Sequence, residues 1–362
     1  MARIVVSDPS LWHGAHCLGR LSFHFWIVQR NRKCWKPEIT IMKIKILFLT
    51  LVMFLATVGH SFAQPATYQT KTWSARVKVI GEDGQPVSGA SISIFYTLPP
   101  KIFPDDSGKY NGKISGLTDT NGLFLATHND RTGALGIQVQ KTGYYTSHIG
   151  YEIYFDDKRL NPSFILVLKK IGNPIPMYAK KQEMAFPELD KPIGFDLEAG
   201  DWVTPYGKGF HTDISFRAHR EIKNRREFNA DLTIIFPNQG DGIVVAPDES
   251  AAGSEFKTSR TATENGYQPE LDLHYSNTNQ PPGVFGYFIR VRTELNQDGT
   301  VKSALYGKIP GNFRFFAGTI KPTSGMGFTY YLNPTPNDRN LEFNPKRNLV
   351  TDMRAGEEVK EP

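Results

Sequence analysis

The sequence predicts an all-β protein: a β-sandwich followed by a second, jelly-roll-like sandwich. Three observations carry that expectation. Apolar residues recur at every second position in short runs, and 32 Gly and 24 Pro scattered along the chain supply turn signals between them. The 3.6-residue spacing of a long amphipathic helix is missing after residue 63.

Taken in order, the opening of the chain stands apart from the rest. Residues 42–65 read MKIKILFLTLVMFLATVGHSFAQP, with Lys43 and Lys45 ahead of an apolar run from Ile46 to Val58 and a small-residue exit at Ser61-Phe62-Ala63. This is the three-part pattern of a secretory signal over 42–63, cleaved between Ala63 and Gln64. The run is shorter than the ~20 residues a spanning helix needs. No membrane span is therefore expected after cleavage, and the expected location is periplasm, cell surface or medium. A signal does not function behind a 41-residue leader, so translation is expected to begin at Met42, with 1–41 a spurious segment. Both cysteines (Cys17, Cys34) and three of the five tryptophans (Trp12, Trp26, Trp35) fall in that segment.

This reading reverses the charge argument. The whole chain has 42 Lys and Arg against 36 Asp and Glu; leader and signal hold eight of the former and two of the latter, leaving 34 of each. A balanced chain gives no reason to expect a nucleic-acid partner. Without cysteine, the mature chain has no disulfide framework, thiolate metal site or cysteine nucleophile.

A first domain is expected over 73–170. Ala75, Val77 and Val79 alternate with Arg76, Lys78 and Ile80, then Glu82-Asp83-Gly84 turns the chain. Ala90, Ile92 and Ile94 form a second strand. In LTDTNGLF (117–124), Asn121-Gly122 offers the positive φ of a tight hairpin and Asp119 an acceptor for the turn backbone. IQVQ (137–140) and FILVL (164–168) complete the set.

Three pieces in order, GQPVSGASI (84–92), TDTNGLF (118–124) and VQKTGY (139–144), resemble the carboxypeptidase regulatory-like, transthyretin-like (Ig-like) β-sandwich modules over residues 75–168. The resemblance implies a non-catalytic module of an exported protein. The segment TLPPKIFPDDSGKYNGKISG (97–116) is longer than the connection usual there. The C-terminal region, with GDWVTPYGKG (200–209) and YYLNPTPNDRN (330–340), is similar to exported bacterial proteins of no assigned role, which implies architecture alone.

Residues 171–194 hold four prolines and read as an extended linker over the second domain. The β pattern resumes over 195–350, most cleanly in Phe228, Ala230, Leu232, Ile234 and Phe236. Further strands are expected at 286–293, 303–307, 312–320 and 326–332, and Asn296-Gln297-Asp298-Gly299 reads as a hairpin turn. The segment 351–362 reads as a polar tail, although upstream of it Leu341 and Phe343, two apart between prolines, call for docking on the sandwich surface.

For chemistry, HTDISFRAHRE (211–221) puts His211, Asp213, Ser215, Arg217, His219 and Glu221 on one face of a strand. His211 with Asp213 is a candidate metal pair, imidazole and carboxylate suiting zinc; a solvated sheet face is the reading that alternation favours. His274 joins only if the fold brings it there. For binding, Tyr144, Tyr145 and Tyr151 in the first domain and Tyr330 and Tyr331 in the second are candidate rings for a glycan or an envelope protein. Two function classes follow: an exported non-catalytic binding or structural protein with no cofactor, or a secreted hydrolase or metal-dependent enzyme with its site on the His211–Glu221 strand.

Overall fold

A computed structural model describes residues 72–97, 112–129, 134–152, 160–224, 226–248, 253–318 and 323–362. The signal segment, with Ala63 and Gln64, and the leader lie outside the described residues.

The first sandwich is built from β1 (Trp73–Gly81), β2 (Ser91–Tyr96), β3 (Gly112–Leu117), β4 (Leu123–His128), β5 (Ala134–Gln140), β6 (Ser147–Glu152) and β7 (Ser163–Leu168). They form a three-stranded sheet β4-β1-β7 and a four-stranded sheet β3-β2-β5-β6. The alternation read from the sequence holds: Ala75, Val77 and Val79 point inward to meet Ile92, Ile94, Ile137, Val139 and Leu166 in one core. The Asn121-Gly122 turn differs from expectation in one respect. It joins strands of different sheets, carrying the chain across the sandwich rather than closing a hairpin. Asp119 Oδ1 accepts the N–H groups of Asn121 (2.9 Å) and Leu123 (2.7 Å). Gly122 has φ 70°, and a Cβ there would lie 2.4 Å from the Val79 carbonyl oxygen, so the crossing admits only glycine.

The segment expected to be a linker supplies a strand. Residues Tyr178–Ala185 form β8, paired antiparallel over eight positions with β18. The reason is the placement of the prolines: 174, 176, 187 and 192 bracket 178–185 and leave every N–H within it free to join a ladder. After β8 come β9 (Ile193–Asp196), β10 (Asp201–Trp202), β11 (Ile214–Asn224), β12 (Glu227–Ile235), β13 (Gly242–Val245), β14 (Glu270–Ser276), β15 (Gly286–Leu295), β16 (Val301–Pro310), β17 (Arg314–Phe316) and β18 (Gly325–Leu332). One sheet runs β10-β9-β11-β12-β14, the other β13-β15-β16-β18-β17 with β8 added on β18. Both sheets turn their apolar faces to a shared core centred on Phe195, Phe216, Phe313 and Phe328. Asn296–Gly299 is the β15–β16 hairpin turn, closed by Asn296 N–H to the Thr300 carbonyl at 2.8 Å.

Residues 333–362 are packed as a strap, the terminal stretch included. Leu341 and Phe343 are fully buried, and Phe343 stands beside the Tyr331 ring at 5.3 Å. The stretch expected to be a polar tail also buries Val359 against Met177 and Ala179 and pairs Glu357 with Lys180 at 3.2 Å. Val359 decides this, an apolar residue among charges.

The two sandwiches meet around Phe256. This buried ring stacks on Tyr145 at 5.2 Å and has the cations of Lys169, Arg260 and Lys308 over it at 5.4, 5.5 and 4.9 Å. Glu342, buried in the strap, accepts from Tyr145 Oη (2.7 Å) and from the N–H groups of Gly172 (2.7 Å) and Asn173 (2.6 Å). One carboxylate thus joins the first sandwich, the connecting segment and the strap. Arg260 pairs with Glu82 on the first sandwich.

Candidate functional site

The outer face of the β10-β9-β11-β12-β14 sheet carries a group of ionisable and hydroxyl side chains. Strand pairing aligns His219 of β11 with Asp231 of β12, and Asp231 with His274 of β14. Two residues along, Arg217, Thr233 and Asp272 align the same way. Period two puts both rows on one face. Asp190, at φ 64°, comes from the segment before β9; its N–H donates to the Ala218 carbonyl at 2.9 Å, which extends the first row to a fourth chain segment.

Within these rows the side chains hold one another. His219 Nδ1 lies 2.5 Å from Asp190 Oδ1, and His274 Nδ1 lies 2.7 Å from Asp231 Oδ1. Since an ionised carboxylate only accepts, each Nδ1 is the donor; His219 Nε2 faces Glu221 Oε1 at 3.9 Å. Thr233 Oγ1 donates to Asp272 at 2.7 Å. The hydrogen bond to Asp190, with the charges of Asp190, Glu221 and Asp231, raises the His219 pKa above its ordinary value. Together these residues line an open groove of about 500 Å³.

The structure places His211 and Asp213 in different surroundings. β11 begins at Ile214, so alternation does not reach back to 211 and 213. His211 is exposed, whereas Asp213 turns into the protein. There its carboxylate accepts Arg292 Nε (2.8 Å), Arg292 Nη2 (3.1 Å) and the Leu197 N–H (2.9 Å), which leaves little for a metal. Burial pushes the Asp213 carboxyl above its ordinary pKa against the pull of Arg292. Among the described residues, no group of three or more His, Cys, Asp or Glu is arranged to hold a metal ion.

The tyrosines named as candidate binding rings differ in exposure. Tyr145 is committed to Glu342 and Phe256, and Tyr330 and Tyr331 are buried. Alternation sends Tyr330 into the core, and the strap covers Tyr331 on the opposite face. Tyr144 and Tyr151 are half-buried against the first core. Exposed rings among the described residues include Phe210 (84%), Phe285 (49%), Phe316 (48%) and Tyr206 (40%).

Asp196 is the positioning residue that the sequence pattern did not mark. Its Oδ1 accepts the N–H groups of Glu198 (3.0 Å) and Ala199 (3.1 Å), and its Oδ2 those of Phe210 (2.9 Å) and His211 (3.0 Å). Burial alone would raise its pKa; these four donors outweigh it and hold the carboxyl below the ordinary range. An Asp just after an alternating run, as in IGFD, was the available signal.

No family model matches the chain, and no curated protein matches it. Among solved structures it is similar to 3-chlorocatechol 1,2-dioxygenase from Rhodococcus opacus 1CP, at 14% identity and TM-score 0.22 over 28% of this chain and 61% of that one. Catechol 1,2-dioxygenase from Acinetobacter radioresistens matches at 16% and 0.22, over 29% and 54%. The shaft pilin spaA from Lactobacillus rhamnosus GG matches at 14% and 0.21, over 49% and 91%. The chain thus spans less than two thirds of either dioxygenase. At these TM-scores the likenesses carry no argument about function.

Proposed function

We propose that this chain is an exported, non-catalytic binding or structural protein associated with glycan or with an envelope protein. In this reading 42–63 directs export, 1–41 is not translated, and 75–168 is a carboxypeptidase regulatory-like module. The observation that carries it is the groove, whose recognition groups are already fixed by one another in the pairs Asp190–His219, Asp231–His274 and Thr233–Asp272. Groups fixed before a ligand arrives lose little entropy on binding.

The two carboxylate–imidazole pairs favour a second reading. A carboxylate on Nδ1 orients an imidazole so that Nε2 can act as a metal ligand or base, which suits a hydrolase or metal-dependent enzyme using His219 and His274. Zinc titration and a glycan array on wild type and on His219→Ala/His274→Ala separate the two. Glycan or envelope retention without stoichiometric zinc supports the first; zinc uptake lost in the double variant supports the second.

A further inference from the structure

The outer face of the β4-β1-β7 sheet is apolar and basic at once. Strand pairing sets Lys78 between Leu123 and Ile165, and Arg76 between Leu125 and Ser163. Alternation turns all of these side chains outward. Leu125 is 62% exposed and Ile165 60%, and Arg76 and Lys78 are exposed beside them. The three strands contain no Asp or Glu, and among the described residues neither cation is paired with a carboxylate. Such a face is matched by a surface that brings carboxylates to the two cations.

The same chain carries that surface on its second sandwich. Asp190, Asp231 and Asp272 line the groove on the β11-β12-β14 face against one permanently charged cation, Arg217, so the face is acidic where the other is basic. The spacing also agrees. Arg76 and Lys78 stand two residues apart on β1; Asp231 and Asp272 belong to rows that are two residues apart, since Asp231 pairs with His274 and Thr233 with Asp272. In both faces the step is about 7 Å, the rise of two strand residues. Sheets packed face to face lie about 10 Å apart, a gap that an arginine or lysine side chain and an aspartate span together.

We infer that copies of this chain associate head to tail, the β4-β1-β7 face of one seated on the β11-β12-β14 face of the next, with Arg76 and Lys78 directed at Asp272 and Asp231. Leu123, Leu125 and Ile165 leave water in the same contact, against the imidazole rings of the groove, and gain by it. The occupant is a second copy because both halves of the complement stand on every chain. The two faces are different surfaces, so the contact is heterologous and builds an open row of molecules unless the rotation closes it into a ring. The inference rests on the binding reading above and names the envelope protein in it as another copy of this chain.

The test is sedimentation of the purified exported chain over a concentration series, for wild type, Arg76→Glu/Lys78→Glu, Asp231→Lys/Asp272→Lys and an equimolar mixture of the two variants, with melting curves to confirm that each is folded. Wild type is expected to self-associate, more weakly as salt rises from about 0.05 to about 0.5 M. Each variant alone is expected to associate at least about tenfold more weakly, because like charges then face each other. The mixture should recover association, since the unaltered groove of the first variant meets the unaltered basic face of the second. Either folded variant associating as wild type does, or a mixture of folded variants that stays monomeric, overturns the head-to-tail contact. A monomeric wild type that is retained on glycan or on an envelope-protein fraction overturns self-association and leaves the binding reading standing; a monomeric wild type retained on neither overturns both.

Discussion

The two sandwiches solve the same packing problem with different side chains. The first fills its interior mainly with aliphatic groups, Val77, Val79, Ile92, Ile94, Val139 and Leu166 among them. The second is built on rings: Phe328 alone lies 5.4 Å from Phe313, 5.5 Å from Phe216 and 5.6 Å from Phe195. It also buries Asp213 against Arg292, which the first sandwich does not match among the described residues. Aliphatic groups repack after a small loss, whereas rings in edge-to-face contact and a buried ion pair demand one geometry. The outer faces differ too. On the β4-β1-β7 sheet, Leu123, Leu125 and Ile165 stand exposed beside Arg76 and Lys78, while the corresponding face of the second sandwich carries the His–Asp rows.

The sharpest break in this comparison comes from the second core. Phe216→Ala and Arg292→Ala are each expected to cost about 3–5 kcal/mol, the first by leaving a cavity and the second by leaving Asp213 buried without its cation. Ile92→Val in the first core is expected to cost about 0.5–1.5 kcal/mol. Urea melts of the three variants measure this, and equal costs would erase the distinction.

Truncation after Asn333 comes next. It removes Leu341, Phe343 and Glu342, and burial of the two apolar side chains is worth about 3–6 kcal/mol before entropy is counted. The expected outcome is a melting temperature lower by several degrees, with trypsin newly able to cut at Lys180-Lys181. An unchanged melt would mean that the strap is not part of the cooperative unit.

Lys308 sharpens the comparison through pH. Burial pushes its ammonium down from 10.5 to about 7, with the Glu342 charge opposing and Lys169 assisting. Its Nζ also donates to Thr258 Oγ1 and to the Pro362 carbonyl, both at 3.2 Å. Between the folded and unfolded pKa values the unfolded chain binds more protons, so stability rises with pH from about 7 toward 10. Thermal melts at pH 7 and pH 9 should show that rise in wild type and a smaller one in Lys308→Met.

A smaller effect is expected where the sandwiches meet. Removing the charge at Glu342→Gln weakens its bond with Tyr145, and a double-mutant cycle with Tyr145→Phe should return about 1.5–3 kcal/mol of coupling, the range for hydrogen bonds to charged groups. A coupling near zero would show the contact to be incidental. The smallest effect belongs to the exposed face of the first sandwich: Leu125→Thr and Ile165→Thr should each stay within about 0.5 kcal/mol of wild type.

Much of the framework was legible along the chain. Ala230, Leu232 and Ile234 face inward as alternation requires, and Asp119 with Gly122 turns the chain where the dipeptide signalled. β8 was hidden by its neighbours, because four prolines dominate the composition of a segment whose central eight residues contain none. The burial of Asp213 was not legible because it lies just before β11, where that strand's alternation does not reach. The burial of Tyr330 and Tyr331 was not legible because an exposed ring and a core ring have the same local pattern, and what covers Tyr331 is a strap some ten residues further along.

Alternation is a property of the single strand, since successive Cβ atoms point to opposite faces whatever lies alongside. That local rule let the sequence alone determine the all-β class, the inward residues of most strands and the turn at Gly122. The row of Asp190, His219, Asp231 and His274 obeys no such rule. Its members are brought together by hydrogen-bonded register, within the β11–β12 pair and between β12 and the more distant β14, and register is settled only when the apolar faces of both sheets close on a common core. For the same reason the exposure of Phe210 was undecided until a buried carboxylate, Asp196, bound its backbone from the strand before.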